Sequence, residues 1–163
     1  MPFRVERYHD ISCGHRVCQQ GSKCEHLHGH NYRVHFICEA EELDNVGRVI
    51  DFGDIKKRLC QWLEDHWDHR MLIWMNDPWA MQLRAIDGGG IYTVPFNPTA
   101  ENMAWYLVTV IGPQQLEGTG IKLVECRIEE TRKCSASYSA HLVNLTDDIK
   151  DYIQIQIDQK AEE

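Results

Sequence analysis

The amino-acid sequence predicts an α+β domain: a four-stranded antiparallel sheet with two helices on one face. Three observations predict it. Apolar residues alternate at period two over 3–15, 29–40, 121–130 and 135–143, they recur at helical spacing over 52–66 and 99–111, and turn residues punctuate the stretches between. The order strand, strand, helix, helix, strand, strand makes two hairpins and leaves sheet edges open, which subunits pairing sheet to sheet would close.

The first strand carries Phe3, Val5, Arg7, His9, Ile11, Cys13 and His15 on one parity, with mostly polar residues between them. Arg16 to Lys23 is a loop. A second strand over 29–40 would return beside the first and set His15 next to His28 and His30. Gly47 marks a turn, and Arg48-Val49-Ile50 is a short extended piece. Asp51 then caps a helix whose Phe52, Ile55, Leu59, Trp62 and Leu63 share a face to about residue 66. Trp67 to Arg70 leave that helix, a loop rich in Asn, Asp, Pro and Gly covers 76–90, and 91–96 offers a short strand. Thr99 caps the second helix, Met103, Leu107, Val108 and Ile111 line its apolar side, and Gly112-Pro113 stop it. The two last strands follow. The domain spans 1–145, and a polar tail covers 146–163, where an Ile153, Ile155, Ile157 alternation finds no obvious place.

At 163 residues the chain is long enough to bury one core. Its net charge of −8 argues against a general nucleic-acid or anionic-membrane binder. A small anionic ligand would need a local basic pocket, for which Arg16, Lys23, Arg132 and Lys133 are the candidates. No apolar run approaches the roughly 20 residues of a membrane span, and the N-terminus does not read as a signal peptide. Seven cysteines with no C-x-x-C pair fit reduced thiols in a cytoplasmic protein.

The stretch Cys24-Glu25-His26-Leu27-His28-Gly29-His30 concentrates the chemistry. On a strand, His28 and His30 point the same way, and His15 on a partner strand would complete three imidazoles with one open position. That is the coordination of a catalytic zinc, with iron or nickel as alternatives. Cys24, four residues from a ligand, reads either as an activated base or nucleophile or as a further structural ligand, and spacing does not separate the two. Asp68-His69 pairs a carboxylate with an imidazole just past a helix end, the make-up of an oriented proton shuttle. Glu130-Thr131 ends the third long strand, where a carboxylate can accept two parallel N–H bonds from an amino-pyrimidinone edge; Glu129 would face the other side.

Taken together, Ile11-Ser12-Cys13-Gly14-His15, Cys24-x-x-x-His28-Gly29-His30-Asn31-Tyr32, Val49-Ile50-Asp51-Phe52, Asp68-His69, Asn97-Pro98-Thr99-Ala100-Glu101-Asn102 and Glu130-Thr131 resemble the 6-pyruvoyl-tetrahydropterin synthase family, and within it the bacterial 6-carboxy-5,6,7,8-tetrahydropterin synthase branch of queuosine biosynthesis. The resemblance covers about residues 3 to 140. It implies a tunnelling fold (T-fold), in which three subunits close their sheets into a barrel and two trimers stack into a homohexamer with active sites between subunits. It also implies Zn2+ on His15, His28 and His30, proton transfer by Cys24, Asp68 and His69, a pterin ring anchored by Glu130, and Thr99 and Glu101 near that ring. The implied substrate is the pterin triphosphate 7,8-dihydroneopterin triphosphate.

The chain departs from the family pattern in two ways. Ile11, Cys13 and Gly14 replace residues of the usual first motif (Phe-Ser-Ala-Ala-His), and Cys13 should share a face with His15. Glu25 is the weightier departure. Relatives with a glutamate three residues before His-Gly-His cleave the same substrate to 6-hydroxymethyl-7,8-dihydropterin for folate synthesis, and this chain carries both Cys24 and Glu25. Three activities therefore stand open: the 6-carboxy product, its 6-pyruvoyl relative, and folate-type cleavage by Glu25. A non-catalytic protein stabilised by zinc is the alternative of another class.

Overall fold

A computed structural model describes residues 1–140. Strands β1 (Phe3–His15) and β2 (His28–Ala40) form a hairpin in unbroken antiparallel register from Phe3 opposite Ala40 to His15 opposite His28. Strand β5 (Lys122–Glu129) adds to β2 with a register shift at Ile37/Cys38, and β6 (Ser135–Ser139) closes that side. The expected antiparallel hairpins are all present.

Two further strands extend the sheet on the other side, so it has six rather than the expected four, in the order β4-β3-β1-β2-β5-β6. Strand β3 (Met71–Trp74) runs parallel to the end of β1 through Gly14 and His15, and β4 (Ile91–Val94) runs parallel to β3. Between them, where the sequence reads as loop, lies a seven-residue helix, Ala80–Ile86, which serves as the crossover that parallel strands require. The extended piece at 48–50 is not a strand.

One helical rod covers 52–66. It comprises α1 (Phe52–Ile55), a π-helical stretch Lys56–Cys60 and α2 (Gln61–His66). Asp51 caps it by accepting the Gly53 N–H at 2.7 Å. With Ala80–Ile86 as α3, a second rod follows as α4 (Ala100–Tyr106), a π stretch Leu107–Ile111 and α5 (Gly112–Gln115). Gly112-Pro113 therefore does not stop this helix. Pro113 comes just after the π stretch, within the continuous rod. Gly112 is there for packing: a Cβ would lie 2.8 Å from Cβ of Leu123 on β5.

The core lies between the rods and one face of the sheet. Ile11 of β1 and Tyr32, Val34, Phe36 and Cys38 of β2 meet Ile55, Leu59, Leu63, Met103, Leu107 and Ile111. Alternation sends the other residues of the same strands, including Arg4, Glu6, Asp10, Arg33, His35 and Glu39, to the opposite face. Residues 141–163, including the end of the expected last strand, the tail and its isoleucines, lie outside the described residues.

Candidate metal centre

The hairpin register sets His15 opposite His28 and Cys13 opposite His30, so alternation brings all four to the helix-covered face. The three imidazoles pack with centroids 4.5, 5.2 and 5.0 Å apart, and one ligating atom from each lies within 4.8 Å of the others. Among the described residues, this is the cluster of histidine, cysteine and carboxylate groups that could hold a metal ion.

Hydrogen bonds fix the inner rings. Nδ1 of His15 lies 2.7 Å from the Pro98 carbonyl, and Nδ1 of His28 lies 2.7 Å from the His26 carbonyl. A carbonyl only accepts, so both Nδ1 atoms carry the hydrogen, and in neutral rings both Nε2 atoms bear lone pairs. Those Nε2 atoms face one another at 3.0 Å. Two facing lone pairs repel unless a proton or a cation joins them. Protonation is disfavoured: burial pushes His15 down to about 4, with His28 and His30 adding to the effect against the Pro98 bond. Nε2 of His30 is buried without a hydrogen-bond partner, 3.5 Å from Oε1 of Glu130. Three imidazole nitrogens short of partners, one carboxylate beside them, suit a divalent cation of the zinc type.

The second layer includes residues that motif spacing alone did not reveal. Tyr32 is fully buried, and its hydroxyl lies 3.2 Å from Nδ1 of His15. Burial, then the nearby charges of Glu130, Cys13 and Cys24, push that hydroxyl far above its ordinary range. The Asn97-Pro98-Thr99 motif delivers the carbonyl to His15. Asn97 accepts the Cys18 N–H at 2.9 Å and donates to the Cys18 carbonyl at 2.8 Å, while Asn102 donates to the Asn97 carbonyl at 2.9 Å. Thr99 caps α4 by accepting the Asn102 N–H at 3.2 Å, and Glu101 is exposed in the first turn. A polar motif flanking a helix start was the available signal for all of this.

Cys24 sits in a single 3-10 turn, Lys23–Glu25, half-buried, with its carbonyl tied to the Val17 N–H at 2.9 Å. Glu25 accepts the Gly21 N–H at 3.0 Å and lies 3.6 Å from Nη2 of Arg16. Arg16 is buried against Asp77, so its charge is already neutralised. Cys13 does share the face of His15, but its thiol donates to the Gly14 carbonyl at 3.4 Å and burial pushes it up to about 12, with Asp68 adding to the shift.

Asp68 and His69 form a pair elsewhere. Asp68 accepts the Ser12 N–H at 2.9 Å and holds Nδ1 of His69 at 2.6 Å. Burial raises its pKa, but the Ser12 amide and His69 together outweigh that and hold it below the usual carboxylate range. His69 takes a left-handed backbone (φ 56°), anchored by its N–H on the Ser12 carbonyl at 2.7 Å, and its side chain is 80% exposed. It lines a cleft with Asp10, Ser12, Asn31, Arg33 and Glu129. Among the described residues, neither Asp68 nor His69 makes a hydrogen bond or ring contact with the three histidines. One chain thus brings together His15, His28, His30 and Glu130, while Asp68-His69 makes no bond to them, although His69 and His30 line one cleft with Ser12 and Asn31.

Comparison with known proteins places this arrangement. Residues 4–141 match the family model described as 6-pyruvoyl tetrahydropterin synthase. The chain is 32% identical over 133 residues to the 6-carboxy-5,6,7,8-tetrahydropterin synthase of Rickettsia conorii, covering 81% of this chain and 96% of that one. It is 27% identical to the Helicobacter pylori enzyme of the same name, covering 78% and 68%. An uncharacterized protein of Wolinella succinogenes superposes with a TM-score of 0.74 at 23% identity, covering 86% of this chain and 99% of the other. A Plasmodium vivax 6-pyruvoyltetrahydropterin synthase, with a catalytic glutamate changed to alanine, superposes at 0.67 with 15% identity over 87% and 99%. The histidine cluster at the head of a long β-hairpin therefore sits in a chain that belongs to the 6-pyruvoyl tetrahydropterin synthase family, whose members are metal-dependent lyases acting on pterins.

Proposed function

We propose that the chain is a zinc-dependent lyase converting 7,8-dihydroneopterin triphosphate and water to 6-carboxy-5,6,7,8-tetrahydropterin, with release of acetaldehyde and triphosphate, in cytoplasmic queuosine and 7-deazapurine biosynthesis. The observation that carries the reading is the facing pair of Nε2 lone pairs beside an unpartnered third imidazole and Glu130. The 32% identity to the Rickettsia conorii enzyme favours the 6-carboxy product over the 6-pyruvoyl one.

In this reading His15, His28 and His30 hold the ion, which when bound would polarise side-chain hydroxyls and acidify the neighbouring C–H bonds. Cys24, on the turn just before β2, takes a proton as thiolate. Glu130 accepts paired N–H bonds from the pterin ring, with Thr99 and Glu101 flanking it. Asp68 holds His69 on Nδ1, leaving Nε2 to move a proton. This pair makes no bond to the histidine cluster of its own chain and serves the cluster of a neighbouring subunit, as a barrel of three sheets stacked into a homohexamer would allow. Among the described residues β4 and β6 are the outer strands of the sheet, and the sheets of neighbouring subunits would join there.

Mass spectrometry of the product from dihydroneopterin triphosphate tests this directly. The 6-carboxy mass is expected, together with its loss in Cys24→Ala. The 6-pyruvoyl mass, or a Cys24→Ala variant that keeps full turnover, would overturn the assignment. Chelation should abolish turnover while the fold survives; unfolding on chelation would instead make the ion structural. One observation keeps folate-type cleavage in view as a second reading. The Plasmodium vivax neighbour carries a catalytic glutamate, and here Glu25 adjoins Cys24.

A further inference from the structure

Cys24 and Glu25 are adjacent in one 3-10 turn, yet their surroundings differ. Glu25 lies against Arg16, and Arg16 is held on three sides. Asp77, itself buried, pairs with Nη1 of Arg16. The ring of Trp79 stacks on the guanidinium at 3.9 Å, and Nη2 lies 3.6 Å from the Glu25 carboxylate. The Gly21 N–H adds a hydrogen bond to the same carboxylate at 3.0 Å. Asp77 is fixed in turn, accepting the Trp79 N–H at 2.8 Å on its other oxygen. A cation this buried beside two carboxylates is not a free anion site. It is an anchor whose position is set by Asp77 and Trp79, and whose remaining face meets Glu25.

We propose that Arg16, fixed by Asp77 and Trp79, is a positioning residue that holds the Glu25 carboxylate out of the reaction and so determines which product the site makes. The inference rests on the pterin-lyase reading above. With Glu25 tied to Arg16 and Gly21, Cys24 is the base that acts. Released, Glu25 would be a second base on the very next residue, and the same substrate has a second, redox-neutral exit. The carboxylate takes the proton of the C2′ hydroxyl, C2′ becomes an aldehyde, and the C1′–C2′ bond breaks. Its electron pair passes into the C6=N5 imine, and a proton returns to C1′. The products are 6-hydroxymethyl-7,8-dihydropterin and the triphosphate ester of glycolaldehyde, and no oxidant or reductant is consumed.

The test uses the zinc-loaded full chain and dihydroneopterin triphosphate, with products quantified by mass spectrometry. Arg16→Lys keeps the charge facing Asp77 but loses the planar fork and the stack. Trp79→Ala, at a half-exposed ring, loosens the anchor with less risk to folding. In Arg16→Lys the ratio of 6-hydroxymethyl to wild-type product should rise about two- to fivefold, the scale of losing a partly exposed ion pair. Trp79→Ala should shift it in the same direction by less, and Arg16→Lys with Glu25→Gln should reverse the shift. An unchanged ratio in both folded, zinc-loaded variants, or a shift that survives Glu25→Gln, overturns the proposal. Absence of any pterin turnover by the wild-type protein would instead strike the underlying reading, so the two failures are distinguishable.

Discussion

On the helix-covered face of the sheet, His15, His28 and His30 converge with two Nε2 atoms 3.0 Å apart and a third without a partner. On the opposite face of the same strand, five residues beyond His30, the side chain of His35 is buried and differently furnished. Its Nδ1 lies 2.5 Å from Oε1 of Glu6, and its Nε2, like that of His30, is buried without a hydrogen bond, 3.3 Å from Oε2 of Glu129. Around it the charges are paired as well: Arg33 binds Asp10 through two bonds of 2.8 and 2.9 Å, and Arg4 meets Glu39 at 2.8 Å. The strand supplies imidazoles to both faces. What separates the two faces is what each imidazole meets, other imidazoles around His15 and a carboxylate on Nδ1 of His35, and a sequence shows the imidazole without its cross-strand partner.

The largest expected effect separates the faces outright. His15→Ala, His28→Ala or His30→Ala should abolish zinc retention, measured by metal analysis after gel filtration, and with it turnover. His35→Ala should keep its zinc and instead lose about 1 kcal/mol of stability in urea, because a buried imidazole and its bond to Glu6 are lost while Glu129 keeps Arg127. Equal zinc loss in His35→Ala would erase the distinction. Next in size, Cys24→Ala should lower turnover by roughly 10²–10⁴-fold at unchanged zinc content. Tyr32→Phe tests the layer behind the ligands: removing the hydroxyl beside Nδ1 of His15 should weaken zinc binding by about tenfold, seen in chelator competition.

The smallest effect concerns Asp68, at the edge between the faces. Its folded carboxylate lies below its ordinary value, so it stabilises the fold above the unfolded value near 3.8, and that contribution is lost as pH falls through the lower folded value. Acid-unfolding profiles of wild type and Asp68→Asn should differ above about pH 4 and converge below it. Profiles that stay parallel through acid pH would mean the Ser12 and His69 bonds add nothing.

Much of this was legible in the sequence because period and parity carry it. The alternation in 3–15 and 29–40 is enough to place Cys13, His15, His28 and His30 on one face, and Asp51 and Thr99 announce their helices as caps. What was missed lacked that signal. Met71-Leu72-Ile73-Trp74 is a short, uniformly apolar run with no alternation, since a strand between two others shows no polar face. Helix α3 buries only Ala80 and exposes Met81 and Ile86, so it has no amphipathic stripe to read. Gly112-Pro113 looks like a stop because the close approach of Leu123, which the glycine permits, is not visible in sequence. At the site, the pairings of Glu25 with Arg16 and of Glu6 with His35 are contacts between distant or cross-strand residues that no local pattern encodes.

X-ray absorption at the zinc edge tests the central claim most directly. The covered-face account predicts three imidazole nitrogens at about 2.0–2.1 Å with a light atom completing the shell, and loss of that signal in His15→Ala. A sulfur shell near 2.3 Å, or an unchanged spectrum in His15→Ala, would contradict it.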